Sequence, residues 1–166
     1  KSLAEDFPGF KTVSVGKSGT DFVYLTVNAS QYMRQYDPDR VVIYSGDNDL
    51  ANQNSPEVVS QNFERTVQII QEIKPAAPIY VISVKPSPGR KHLLPVVRKL
   101  NALLRKTASK FRRVTFVDVF SRMINDEGEI AEKNFDAQDS MHIHLSPRGY
   151  GLWTSILKPY LQRKSP

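Results

Sequence analysis

Apolar positions along the chain follow two rhythms. Short unbroken runs occur at "RVVIY" (40–44), "PIYVISV" (78–84) and "VTFVDV" (114–119), with a weaker one at "TVSV" (12–15). Runs of this length, rich in β-branched and aromatic residues, predict buried strands. Between them the spacing becomes helical. Val59, Phe63, Val67, Ile70 and Ile73 recur at intervals of four, four, three and three, which is one apolar stripe. Ser55-Pro56-Glu57 supplies that helix with an N-cap, a first-turn proline and an early acid, and Lys74-Pro75 ends it. Further helices are predicted over 21–36, from about His92 to Lys110, and from the Ser146-Pro147 cap to about Leu161.

Strands alternating with helices in this way predict an α/β protein, with a parallel sheet covered on both faces in a three-layer α/β/α sandwich. Ligands in such folds bind at the carboxyl ends of the strands. The connections 85–94 and 120–138 leave those ends and are expected to border a cleft. There are no internal repeats, and 166 residues suit one domain over 1–166.

Composition narrows the chemistry further. Cysteine is absent, which excludes disulfides, thiolate zinc and cysteine catalysis, and leaves cytoplasm, periplasm and exterior equally open. No cofactor or metal site is predicted, and no apolar run approaches the ~20 residues of a membrane span. The net charge is +6, with cationic residues spread from Lys85 through Arg90, Lys91, Arg98, Lys99, Arg105, Lys106 and Lys110 to Arg112 and Arg113. These read as the solvated face of one helix. Without a recognition module or aromatic-basic alternation, nucleic acid is not expected as a partner. "GKSGT" (16–20) is similar to part of a phosphate loop, but that signature needs a glycine where Lys11 stands.

Two polar clusters hold candidate chemistry. Gly46-Asp47-Asn48-Asp49 ends the most hydrophobic strand. It is either an Asx-capped turn or a site in which Asn48 offers an amide N–H to a developing oxyanion, with Gly46 allowing close backbone approach. Gly16, at the end of the 12–15 run, can add its own N–H as a second donor. In "DSMHIHLSPRGY" (139–150), Asp139 stands three residues before His142, and a carboxylate so placed can orient an imidazole for acid–base work. The bland alternative is that His142 and His144 are ordinary loop histidines.

In this order the pieces resemble the SGNH (GDSL-type) hydrolases, bacterial members in particular. The similarity rests on Gly46-Asp47-Asn48-Asp49, on Asp139-Ser140-Met141-His142 with Gly149-Tyr150, on Gly16, and on "KPSP" (85–88) and "LSPRGYGLW" (145–153). The resemblance implies a flavodoxin-like α/β fold and hydrolysis of small-molecule or glycan esters by a Ser-His-Asp triad. It also implies an oxyanion hole that includes Asn48 and Gly16. Spacing from Asp139 selects His142 as the base, whereas spacing to Gly149-Tyr150 selects His144. His142 is preferred, because orientation by the carboxylate is the tighter constraint.

The family's nucleophile block, a Gly-Asp-Ser turn after the first strand, has no counterpart. Ser18 and Ser45 lie near strand ends but on no elbow turn. The resemblance therefore implies about 15–30 further residues upstream, enough for a strand, a turn and part of a helix. The alternative is a non-catalytic SGNH-like module that binds acylated glycans or another ligand.

Overall fold

A computed structural model describes residues 3–162. The chain runs α1 (Leu3–Asp6), α2 (Phe22–Tyr36), β1 (Val41–Ile43), α3 (Asp47–Ala51), α4 (Pro56–Ile73), β2 (Ile79–Ile82), α5 (Leu94–Ala108), β3 (Val114–Val117) and α6 (Pro147–Leu161). Short 3-10 turns span Pro88–Leu93, Phe120–Arg122 and Glu132–Asn134. The strands form one parallel sheet in the order β1-β2-β3, with Val42 opposite Tyr80 and Val81 opposite Phe116.

β2 is buried along its whole length, and its side chains alternate between two cores. Ile79 and Val81 face Phe22 and Met33 of α2, Phe63 and Val67 of α4, and Leu100 and Leu104 of α5. Tyr80 and Ile82 face the other way, toward Phe7 and the α6 residues Leu157 and Leu161. A strand with two apolar faces needs helices on both sides, and the three-layer α/β/α sandwich is the result. Among the described residues no helix is long and apolar enough to cross a membrane.

The helix starts follow their capping residues. Ser55 Oγ accepts the Val58 N–H and Ser146 Oγ accepts the Gly149 N–H, each with a proline at the first turn. Asp21 caps α2 by accepting from Tyr24 N at 2.8 Å. α2 and α4 then pack through Phe22 against Phe63, ring centres 5.8 Å apart, and through a Thr26–Thr66 hydroxyl pair.

One local expectation is corrected. Residues 12–15 form a loop and not a strand, with Val13 half exposed. No described strand pairs with them, and a segment without a ladder partner is not a strand. After β1, Asp47–Ala51 forms the short helix α3.

That helix is tied to α2 through a fully buried carboxylate. Both Asp49 oxygens accept from Phe22 N at 3.2 Å. Burial pushes the Asp49 carboxyl up to about 6, against an ordinary value of 3.8. A carboxyl raised by folding stabilises the native state most below pH 3.8, and that contribution disappears as pH rises through about 6. Asp49→Asn is therefore expected to flatten the fall in stability between these values, by about 2–3 kcal/mol. Urea unfolding at pH 4 and pH 7 measures it, and an unchanged slope in the variant would contradict it.

Candidate active site

The site begins with a backbone constraint. Gly46 takes φ +113°, and a Cβ there would lie 2.8 Å from Val84 Cγ2 and 3.0 Å from Leu100 Cδ2. Only glycine accepts both the left-handed backbone and this contact with the core. The chain can therefore leave β1 and enter α3 at once, which holds Asp47 and Asn48 at the carboxyl edge of the sheet.

Asp47, half-buried, is the hub of a polar cluster around the buried Lys85. Its Oδ2 accepts from Lys85 Nζ at 2.7 Å and from Tyr44 OH at 3.2 Å, and Arg90 Nη1 stands 3.4 Å away. Lys85 Nζ also donates to Tyr44 OH at 2.9 Å. Tyr44 packs edge-on against Trp153 of α6 at 4.9 Å, which ties the cluster to the opposite helical layer. Burial alone would raise the Asp47 carboxyl, but the Lys85 charge and hydrogen bond, with Arg90, hold it below its ordinary value. Burial, and then the neighbouring Asp47 charge, push the Tyr44 phenol well up. The reading of Lys85 and Arg90 as part of a solvated helical face is thus corrected. Lys85 is only 8% exposed and, with Arg90, neutralises Asp47, which leaves Lys91 as the solvated member.

Asn48 is held from two sides. Its Nδ2 donates to the Thr20 carbonyl at 2.9 Å, and its Oδ1 accepts from Arg90 Nη2 at 3.0 Å. The amide retains a second Nδ2 hydrogen, because Asn carries two. Gly16 lies in the exposed loop that precedes Thr20, and no described hydrogen bond joins it to Asn48.

Asp139 makes its imidazole contact with His144 and not with His142. Asp139 Oδ2 lies 2.9 Å from His144 Nδ1 and also accepts the backbone N–H groups of Ile143 and His144, while Oδ1 accepts from Met141 N. The His144 and Ile143 N–H bonds come first, with Met141 N–H and the His144 ring, in holding this carboxyl well below the usual range. The reason for the exchange of histidines lies in the backbone. His142 takes φ +50° and donates its N–H to the Asp139 carbonyl at 2.9 Å. The turn wraps the next two N–H groups around the carboxylate and brings the ring at 144, not the ring at 142, to its side.

His142 instead lines an open hollow of about 690 Å³ with Arg90, Pro88, Glu132 and Met141. Both connections expected to border a cleft contribute to it. Gly89 locks the 85–94 connection to the turn that carries His142: its N–H donates to the His142 carbonyl at 3.1 Å, and a Cβ there would fall 1.8 Å from the Met141 oxygen. Among the described residues, no serine hydroxyl bonds to either histidine ring, and no cluster of three acidic or histidine residues is arranged to hold a metal. Ser45 is buried at the end of β1, and Ser18 is exposed in its loop. Sequence reasoning missed Thr20, Tyr44 and the buried role of Lys85. The available clue is that Tyr44 and Lys85 both stand just past the carboxyl ends of neighbouring strands.

The sequence model of the GDSL-like lipase/acylhydrolase family matches residues 1–152. No curated protein sequence matches the chain. Solved structures do. A Streptococcus pneumonia protein provisionally assigned as a platelet activating factor superposes with TM-score 0.81 at 24% identity, over 96% of this chain and 77% of that one. A GDSL-like lipase from Bacteroides thetaiotaomicron gives TM-score 0.76 at 17% identity, over 95% and 78%. A family 3 carbohydrate esterase from Clostridium thermocellum gives 0.69 at 19%, over 91% and 71%. At these identities the likeness is one of fold.

Two stability measurements check this construction. Gly46→Ala should cost about 2–4 kcal/mol, from left-handed backbone strain plus overpacking against Val84 and Leu100. Lys85→Met should cost about 3 kcal/mol, because Asp47 is left buried with only part of its counter-charge. Denaturant titration reads both, and values within ~0.5 kcal/mol of the parent would contradict them.

Proposed function

The chain belongs to the GDSL-like lipase/acylhydrolase family, and on that premise we propose that it hydrolyses acyl esters by a serine mechanism, on small-molecule or glycan substrates. The observation that carries this reading is the 2.9 Å contact between Asp139 Oδ2 and His144 Nδ1, made by a carboxylate that backbone N–H groups keep ionised. A carboxylate bonded to Nδ1–H leaves the Nε2 lone pair free to act as base.

In this reading a serine hydroxyl attacks the ester carbonyl while His144 Nε2 takes its proton. The tetrahedral oxyanion receives an N–H from Asn48, with the Gly16 N–H as the second donor. The alcohol leaves with the proton from His144, which gives an acyl-serine. Water, deprotonated by the same nitrogen, then releases the acid and regenerates the serine. Asp139 orients the imidazole throughout and offsets its positive charge. His142, at the wall of the hollow, in this reading touches substrate and does not move the proton.

One observation favours a second reading, a binding module for acylated ligands: no described serine bonds to either histidine ring. The natural full-length protein separates the two. It is expected to label with a fluorophosphonate and to hydrolyse an aryl acetate. His144→Ala should lower kcat by on the order of 10⁴-fold, with His142→Ala within a few-fold of the parent. A folded protein that neither labels nor turns over supports the binding module, and loss of activity confined to His142→Ala would reverse the assignment of the base.

A further inference from the structure

A primary amide is nearly symmetric in shape, but its two ends are opposite in chemistry. Turned by 180°, Asn48 would present a carbonyl lone pair, not an N–H, to an oxyanion, and attraction would become repulsion. An oxyanion donor therefore needs something that forbids the flip. The groups on either side of Asn48 do this. The Arg90 guanidinium carries only donors, so it can meet only Oδ1, at 3.0 Å from Nη2. The Thr20 carbonyl can only accept, so it meets only Nδ2, at 2.9 Å. Flipping the amide would set two donors against each other on one side and two acceptors on the other.

We propose that Arg90 is a positioning residue, which through Asn48 fixes the amide with its N–H available to the reaction; this rests on the esterase reading above. Arg90 is itself held. Asp47 Oδ2 stands 3.4 Å from Nη1 and is anchored in turn by Lys85 and Tyr44. The backbone of the same loop is fixed by Arg90 N–H to the Ser87 carbonyl at 3.0 Å and by Gly89 N–H to the His142 carbonyl at 3.1 Å. The side chain is only 18% exposed, so water competes poorly for its donors. A cation on Oδ1 also polarises the amide, which makes the remaining N–H a stronger donor. The buried charges at Asp47 and Lys85 thereby acquire a purpose beyond stability: they hold a guanidinium whose partner is the oxyanion donor.

The test uses the natural full-length protein and two readouts. Arg90→Met keeps the stem and removes the donors. It should lower kcat for an aryl acetate by about 10–100-fold with KM within ~3-fold, less than deleting an oxyanion donor outright. In an Asn48→Ala background the same change should cost nothing further, because Arg90 acts through Asn48. Arg90→Lys, which keeps the charge, should recover part of the rate, and it carries the same comparison if the Met variant does not fold. Independently, the Asn48 side-chain amide pair in a ¹H–¹⁵N spectrum should shift and lose exchange protection in Arg90→Met, with core backbone signals unchanged. Multiplicative losses in the double variant, or an Asn48 amide pair indifferent to Arg90, would overturn the proposal. A wild-type protein without ester turnover, in which the amide pair still responds, overturns the esterase reading alone and leaves the hold of Arg90 on Asn48 supported.

Discussion

The site depends on one half-buried carboxylate. Asp47 accepts from Lys85 and Tyr44 and faces Arg90, so a single side chain joins the end of β1, the start of α3 and the loop that follows β2. Two stretches meet there, Asp47 standing 38 residues before Lys85, and neither can move without leaving a charge unpaired. Removing one partner from such a cluster costs kilocalories, because the remaining charge stays buried. The cluster is also why the loop carrying Arg90 has a defined position beside Asn48. Stability and site geometry are here the same set of hydrogen bonds.

Much of this was legible in the sequence. The β-branched runs at 40–44, 78–84 and 114–119 became the three strands, and Ser55-Pro56 and Ser146-Pro147 opened α4 and α6, because caps and periodicity act locally. The run at 12–15 did not become a strand, because a strand is defined by its neighbour and local composition cannot supply one. At Gly46, expected to allow close backbone approach at the site, a Cβ would meet Val84 and Leu100 of the core. The basic residues were harder. Lys85 and Arg90 look like surface charge until Asp47, 38 residues before Lys85, is brought beside them.

The contact made by Asp139 depends on backbone as well as on spacing. Asp-x-x-His favours His142, yet the carboxylate faces His144. What the spacing omits is the left-handed backbone at His142, after which the ring of His144 lies beside the carboxylate. A positive φ at a non-glycine residue carries no clear mark in sequence. It persists here because the Asp139 carbonyl, the Gly89 N–H and three N–H groups on the Asp139 carboxylate hold the turn together.

The central claim is that Asp139 and His144 form the acid–base pair of a family acylhydrolase site. The imidazole ¹⁵N resonances of the folded protein above the histidine titration range test it most directly. The account predicts that His144 is held as the Nδ1–H tautomer, with a downfield Nδ1 proton that is lost in Asp139→Ala, while His142 shows no such change. An unbonded mixture of tautomers at His144, or a downfield proton assigned to His142, would contradict it.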